Sequence, residues 1–85
     1  MKESDVKRFL RLPCPEVIRL YVSYGNLTHK EERTVDLCIR HGYTQAETAE
    51  MMDCSEDSVQ KHCSAGLKKL AAAWNGNFVV ERLLK

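Results

Sequence analysis

The sequence predicts an all-α fold, a small helical bundle containing a helix-turn-helix, and three observations carry that prediction. Side chains suited to capping helix N-termini stand ahead of apolar stretches at Thr28, Thr44, Ser55 and Asn77. Apolar residues recur at spacings of three and four, with little of the alternation that marks strands. Two of the capped segments are separated by only three residues, Asp53-Cys54-Ser55. A connection that short makes two helices cross steeply.

The elements follow in order. Ser4 or Asp5 caps a short helix carrying Val6, Phe9 and Leu10, which Pro13 ends. Pro15 suits a first helical position, and Val17, Ile18, Tyr21 and Val22 form the apolar face of a helix that stops at Gly25-Asn26. Thr28 and Glu31 have capping-box spacing and open a helix with Val35, Cys38 and Ile39 on one face. Gly42 ends it. Thr44 and Glu47 repeat the box, opening a short helix from Gln45 to Met52 with Ala46, Ala49 and Met52 at spacing three. Ser55 then caps the longest helix, from about Glu56 to about Ala73. Its stripe Val59, Cys63, Leu67, Leu70 and Trp74 is continuous and apolar. Val59, Leu67 and Leu70 should be buried against Val35, Ile39, Ala49 and Met52. Asn77 caps a last helix in which Val79 faces Leu83 and Val80 faces Leu84. The chain divides into an N-terminal helical extension, residues 1–27, and a helix-turn-helix domain with a C-terminal helix, residues 28–85.

Composition narrows the class. A chain of 85 residues with 44% hydrophobic and 29% charged residues suits one globular domain. It lacks the run of about 18 apolar residues that spans a bilayer. The start Met1-Lys2-Glu3-Ser4-Asp5 is too charged to open a signal peptide, so a cytoplasmic protein is expected. Cys14, Cys38, Cys54 and Cys63 lack zinc-ligand spacing, and a reducing compartment disfavours disulfides. Cys38, Cys54 and Cys63 are read as small buried apolar residues. There is no glycine-rich phosphate cradle, no nucleophile–base order and no paired carboxylate in an evident cleft, so neither an enzyme nor a cofactor is expected.

The longest helix also carries a polar face. Asp57, Gln60, Lys61, Ser64 and Lys68 fall at i, i+3, i+4, i+7 and i+11. Each has a side chain able to hydrogen-bond a base edge or a phosphate. Gln pairs bidentately with adenine and Lys donates to guanine, so Gln60 and Lys61 are candidate base readers. Lys68 and Lys69 are candidate phosphate contacts. Glu56, in the first helical turn, complements the helix dipole. His62 is read as a packed histidine, and Trp74 as a core or dimer residue.

The segment from Leu27 to Leu70 resembles the LuxR/GerE-type helix-turn-helix domain and, slightly less closely, region four of bacterial sigma factors. L-T-x-x-E-E-R-x-V from Leu27 to Val35, G-Y-T-Q-A-E-x-A-E from Gly42 to Glu50, and S-E-D-S-V-Q-K-H-C-S-x-x-L-K-K-L ending at Leu70 carry the likeness. Ser55, Val59, His62, Ser64, Lys69 and Leu70 match the pattern by residue type. Asp53 stands where the turn usually has glycine, Thr48 where an aliphatic is usual, and Asp36 where leucine is preferred. The resemblance implies a DNA-binding module, expected to stand alone because only 27 residues precede the motif. Its DNA contacts would come from Thr44 and Gln45 on the first helix of the motif and from Ser55, Asp57, Ser58, Gln60, Lys61, Ser64, Lys68 and Lys69 around the second. It also implies that the C-terminal helix supports dimerisation, through Phe78, Val79, Val80, Leu83 and Leu84.

The expected function is therefore sequence-specific binding of double-stranded DNA by a homodimeric transcription regulator. Charge raises a rival. Residues 1–27 sum to +2, residues 28–70 to −2 and residues 71–85 to +1. A net-negative motif weakens the phosphate attraction that usually dominates affinity. The alternative is a sigma-region-four-like module that docks RNA polymerase or a regulatory partner, with weak DNA binding.

Overall fold

The polar residues that stand ahead of the helices act as caps along most of the chain. The computed structural model describes residues 1–84, among which are six α-helices, one π-helical turn and no strand. Lys85, the last residue of the expected second domain, lies outside them. Helix α1 spans Glu3–Leu10, starting ahead of both expected caps, Ser4 and Asp5, and its N-cap Lys2 makes no side-chain capping bond. Glu3 and Asp5 in its first turn and Lys7 and Arg8 in its last complement the helix dipole instead. Helix α2, Pro15–Ser23, starts on its proline as expected. Its stop divides two tasks between neighbours. Asn26 takes the left-handed conformation, φ 52°, while Gly25 leaves space. A Cβ at Gly25 would lie 2.7 Å from both Leu27 Cδ1 and Leu70 Cδ2.

Helix α3, His29–Val35, opens on a complete capping box. The Glu31 amide donates to Thr28 Oγ1 at 3.2 Å, and the Thr28 amide donates to Glu31 Oε1 at 2.9 Å. Beyond Val35 the helix widens into a π-turn, Asp36–Arg40, closed by the His41 amide donating to the Asp36 carbonyl at 3.1 Å. Spacing rules based on 3.6 residues per turn do not foresee such a widening. Helix α4, Gln45–Met52, has the second capping box, at Thr44. Helix α5, Glu56–Trp74, is the longest, and α6, Phe78–Leu83, is capped by Asn77.

Helix α5 is the axis of the bundle, with α1, α3 and α4 packed along it. The expected core forms: Val35, Ile39, Ala49, Val59, Leu67 and Leu70 are buried, and Met52 is half-buried. Residues 1–27, expected as an extension, supply Val6, Phe9, Leu10, Ile18 and Val22 to the same apolar cluster as Leu67, Leu70 and Trp74. Trp74 is wholly buried. Its ring meets Phe9 edge-on at 4.8 Å, and its Nε1–H donates to the Tyr21 carbonyl at 2.8 Å. That bond satisfies the one polar atom an indole brings into a core. Thr48, at a position suited to an aliphatic, is fully buried yet satisfied: its hydroxyl accepts from the Cys38 thiol at 3.3 Å.

Two expectations are corrected. Val80, assigned to a dimer surface, is fully buried, and Leu84 packs against the same core. The final helix turns these two residues inward, onto the apolar cluster that also holds Phe9, Leu10 and Trp74. Cys54, expected to be buried, is exposed in the turn after α4, outside either helix. Cys38 and Cys63 are partly buried, and desolvation, reinforced by nearby Cys38, pushes the Cys63 thiol up to about 11. It is therefore a neutral, poorly nucleophilic thiol at ordinary pH. No helix among the described residues is long and apolar enough to cross a membrane.

Gly66 explains how α5 reaches α3 so closely. It is buried in the middle of a helix, and a Cβ there would lie 2.8 Å from Val35 Cγ2 and 3.3 Å from Leu27 Cδ2. Val35 is itself buried and β-branched, so it cannot rotate away without moving the backbone. In an open helix Gly→Ala would stabilise by about 1 kcal/mol. Here the sign should reverse. Gly66→Ala is expected to lower unfolding free energy by about 1–3 kcal/mol, the cost of overpacking. Urea denaturation checks it, and a gain in stability would show that α3 and α5 have room to spare.

Candidate nucleic-acid interface

The junction of α4 with α5 is built from local hydrogen bonds. Asp53 adopts φ 54° and ψ 52°, the left-handed conformation. Its amide donates to the Glu50 carbonyl at 3.3 Å, and the Cys54 amide donates to the Ala49 carbonyl at 3.0 Å. This pair of bonds is the Schellman arrangement, here closed by aspartate where glycine is commoner. Two residues on, Ser55 Oγ accepts from the Ser58 amide at 3.1 Å and starts α5. Ala49 and Val59 are both buried where the two helices pack together.

The α5 face opposite that packing is open. Asp57, Gln60, Lys61 and Lys68 are exposed, and Ser64 and Ser58 are half-buried. Gln45 is exposed on the first turn of α4. Thr44 and Ser55 are exposed too, but their side-chain oxygens already accept from the amides of Glu47 and Ser58. Ser55 also donates to Ser58 Oγ at 3.1 Å. Lys61 pairs with Asp57 at 3.2 Å, an exposed i,i+4 contact of the kind that contributes little to stability. Its ammonium can exchange that partner for another anion at small cost. Lys68 has no ion pair among the described residues.

Lys69, expected beside Lys68 as a phosphate contact, is exposed but engages a partner within the fold. Its Nζ lies 2.6 Å from Glu31 Oε1, tying α5 to the start of α3. Residue 69 lies one step, about 100°, around the helix from Lys68, which is enough to turn it from the open face toward α3. Glu31 thereby serves two elements at once, accepting from Lys69 and from the Thr28 amide. The bond from Lys69, then that from Thr28, holds its carboxyl below the usual range, against the opposing effect of burial. Glu47 is lowered likewise by the Thr44 amide. His62, read as packed, is half-buried.

Charge is uneven along this surface. Residues 45–61 carry Glu47, Glu50, Asp53, Glu56 and Asp57 against Lys61 alone, a net −4 before the lysines of the second half of α5 are reached. Glu56 and Asp57 favour the positive end of the helix dipole, which offsets part of that charge. The sequence reading also passed over two exposed apolar side chains here, Tyr43 and Met51. Met51 follows Glu50 on the outer side of α4, where periodicity alone gave no reason to single it out.

Comparison of the chain with protein-family models, with curated proteins and with solved structures gave no match.

The Glu31 node makes stability depend on acid pH. A carboxylate whose folded pKa is depressed contributes stability that is fully present above its unfolded value, about 4.3, and lost as pH falls through the folded value. Glu31→Gln keeps an acceptor for Thr28 and Lys69 but cannot ionise. Wild type should be the more stable at neutral pH, and the difference should shrink steadily below about pH 5. Thermal unfolding of both proteins from neutral pH down to acid checks this; parallel curves would remove the charge on Glu31 from the account.

Proposed function

We propose that α4 and α5 form a helix-turn-helix that binds double-stranded DNA sequence-specifically and regulates transcription, with α5 entering the major groove. The observation that carries this reading is the exposed polar stripe of α5, Gln60, Lys61 and Lys68, on a helix capped at Ser55 and anchored by Val59, Leu67 and Leu70. A rigid helix with one buried and one open polar face is what base-edge recognition needs. The resemblance of Leu27–Leu70 to the LuxR/GerE-type domain supports the same reading. Gln60 and Lys61 read bases, and Lys68 holds the backbone. Gln60→Ala should cost about 1–3 kcal/mol on the preferred site and relax its sequence preference. Lys68→Ala should weaken all sequences alike and reduce the salt slope by about one. Binding isotherms on selected and scrambled duplexes over a salt series measure both; identical, sequence-independent losses would undo the division of roles.

One observation favours a second reading. The five carboxylates around the α4–α5 junction, with Met51 and Tyr43 exposed nearby, suit a basic protein partner better than a phosphate backbone. Under this reading the module docks RNA polymerase or a regulatory protein, and the same salt series gives weak, shallow DNA binding.

The protein acts on DNA as a homodimer joined through α6. Phe78, Val79 and Leu83 are exposed there, Phe78 to 69%, while Val80 and Leu84 attach the helix to its own core. Two modules joined in this way make the second DNA contact effectively intramolecular, compensating for a motif with few cations. Their recognition helices would lie about 34 Å apart on an inverted repeat. Leu83→Asp should convert dimer to monomer in sedimentation equilibrium and leave helix content unchanged. A dimer indifferent to this aspartate would exclude α6.

A further inference from the structure

We propose that a cleft between α2, α3 and the π-turn binds a small organic oxyanion, a carboxylate or phosphate on a short apolar body, through Arg19 and Arg33. The cleft holds about 280 Å³, near the lower limit for a small-molecule pocket. Its floor is apolar, formed by Leu10, Val22 and Val35, all buried in the core. Its rim carries three guanidiniums, Arg19, Arg33 and Arg40. Only Arg40 is matched: it meets Asp36 at 2.8 Å. Arg19 and Arg33 form no ion pair among the described residues, although Glu32 also lines the cleft.

The arginines and carboxylates of the lining therefore sum to +1, Arg19, Arg33 and Arg40 against Glu32 and Asp36. One bound anion would neutralise it. Guanidinium forks match the planar carboxylate and the phosphate oxygens alike, which defines the polar half of the ligand. The aliphatic floor defines the other half, and the volume limits it to a short chain or single ring. The π-turn contributes directly, because Asp36 and Arg40 are its first and last residues. Widened turns of this kind recur at functional sites. Here the turn also places Cys38 against Thr48 of α4, so the ligand would sit one element away from the α4–α5 junction.

The test uses the full chain and amide chemical shifts, with three probes at constant ionic strength: butyrate, inorganic phosphate and, as the charge-reversed control, n-butylammonium. Saturable shifts confined to α2, α3 and the π-turn are expected with butyrate, phosphate or both, and none with n-butylammonium. Whichever anion saturates identifies the headgroup. Arg33→Gln and Arg19→Gln should each weaken binding about tenfold or more. Arg82→Gln, an exposed change on α6, should leave it unaltered. The unchanged spectrum of α5 in each variant certifies folding. The proposal is overturned if neither anion saturates, if n-butylammonium gives the same shifts, or if both arginine variants bind as wild type does.

Discussion

Where α5 passes α3 there is room only for hydrogen at position 66. That close approach sets Val35 against the middle of the long helix and fixes how α3 enters the bundle. The π-turn and α4 follow from α3 in sequence, so their positions are inherited from it. A helix of 19 residues is about 28 Å long. Its second half is wrapped by α1, α2 and α6 around Trp74, and its first half extends to the α4 junction. The protein is thus a short rod with a heavily packed end and a lightly packed end, and the polar stripe runs along the side between them.

Helix starts are held by local chemistry, and the packing of the helices onto one another by distant contacts. This difference decides what can be read from residue order. Thr28, Thr44, Ser55 and Asn77 cap because each finds its acceptor or donor three residues away, and such spacing is visible in any string of letters. Asp53 drew notice only through the family resemblance, as the residue standing where the turn usually has glycine. Lys69 finds its partner 38 residues away, so nothing near it in sequence distinguishes it from Lys68. Val80 and Val79 are adjacent and chemically identical, yet one is sealed and the other open. What separates them is that Val80 joins the apolar cluster of Trp74 and Phe9 and Val79 does not.

The π-turn belongs to the same class of hidden features. Its five residues, Asp-Leu-Cys-Ile-Arg, would sit in an ordinary helix without difficulty. An added residue per turn re-aims Ile39 and Cys38 while Asp36 and Arg40 stay paired across it. The heptad-like spacing of Val35, Cys38 and Ile39 reads as one face, and the structure does keep them inward, although by a wider turn than that spacing implies. Likewise the first two helices carry plain apolar periodicity, which signals an amphipathic helix but not which surface it covers. Their burial on α5 makes them part of the core.

Trp74 gives the molecule a built-in optical reporter. It is the sole tryptophan, wholly buried, ringed by Phe9 and bonded to the Tyr21 carbonyl. An indole so enclosed emits at shorter wavelength than one in water, and its environment changes when α1, α2 or α6 leaves that end of α5. Ser55 lies at the opposite end of α5, about 28 Å away. Fluorescence will therefore register the opening of the heavily packed end and stay silent to fraying at the α4–α5 junction. Far-ultraviolet dichroism counts every helix equally. A gap between the two signals on heating would measure how independently the two ends of the rod melt.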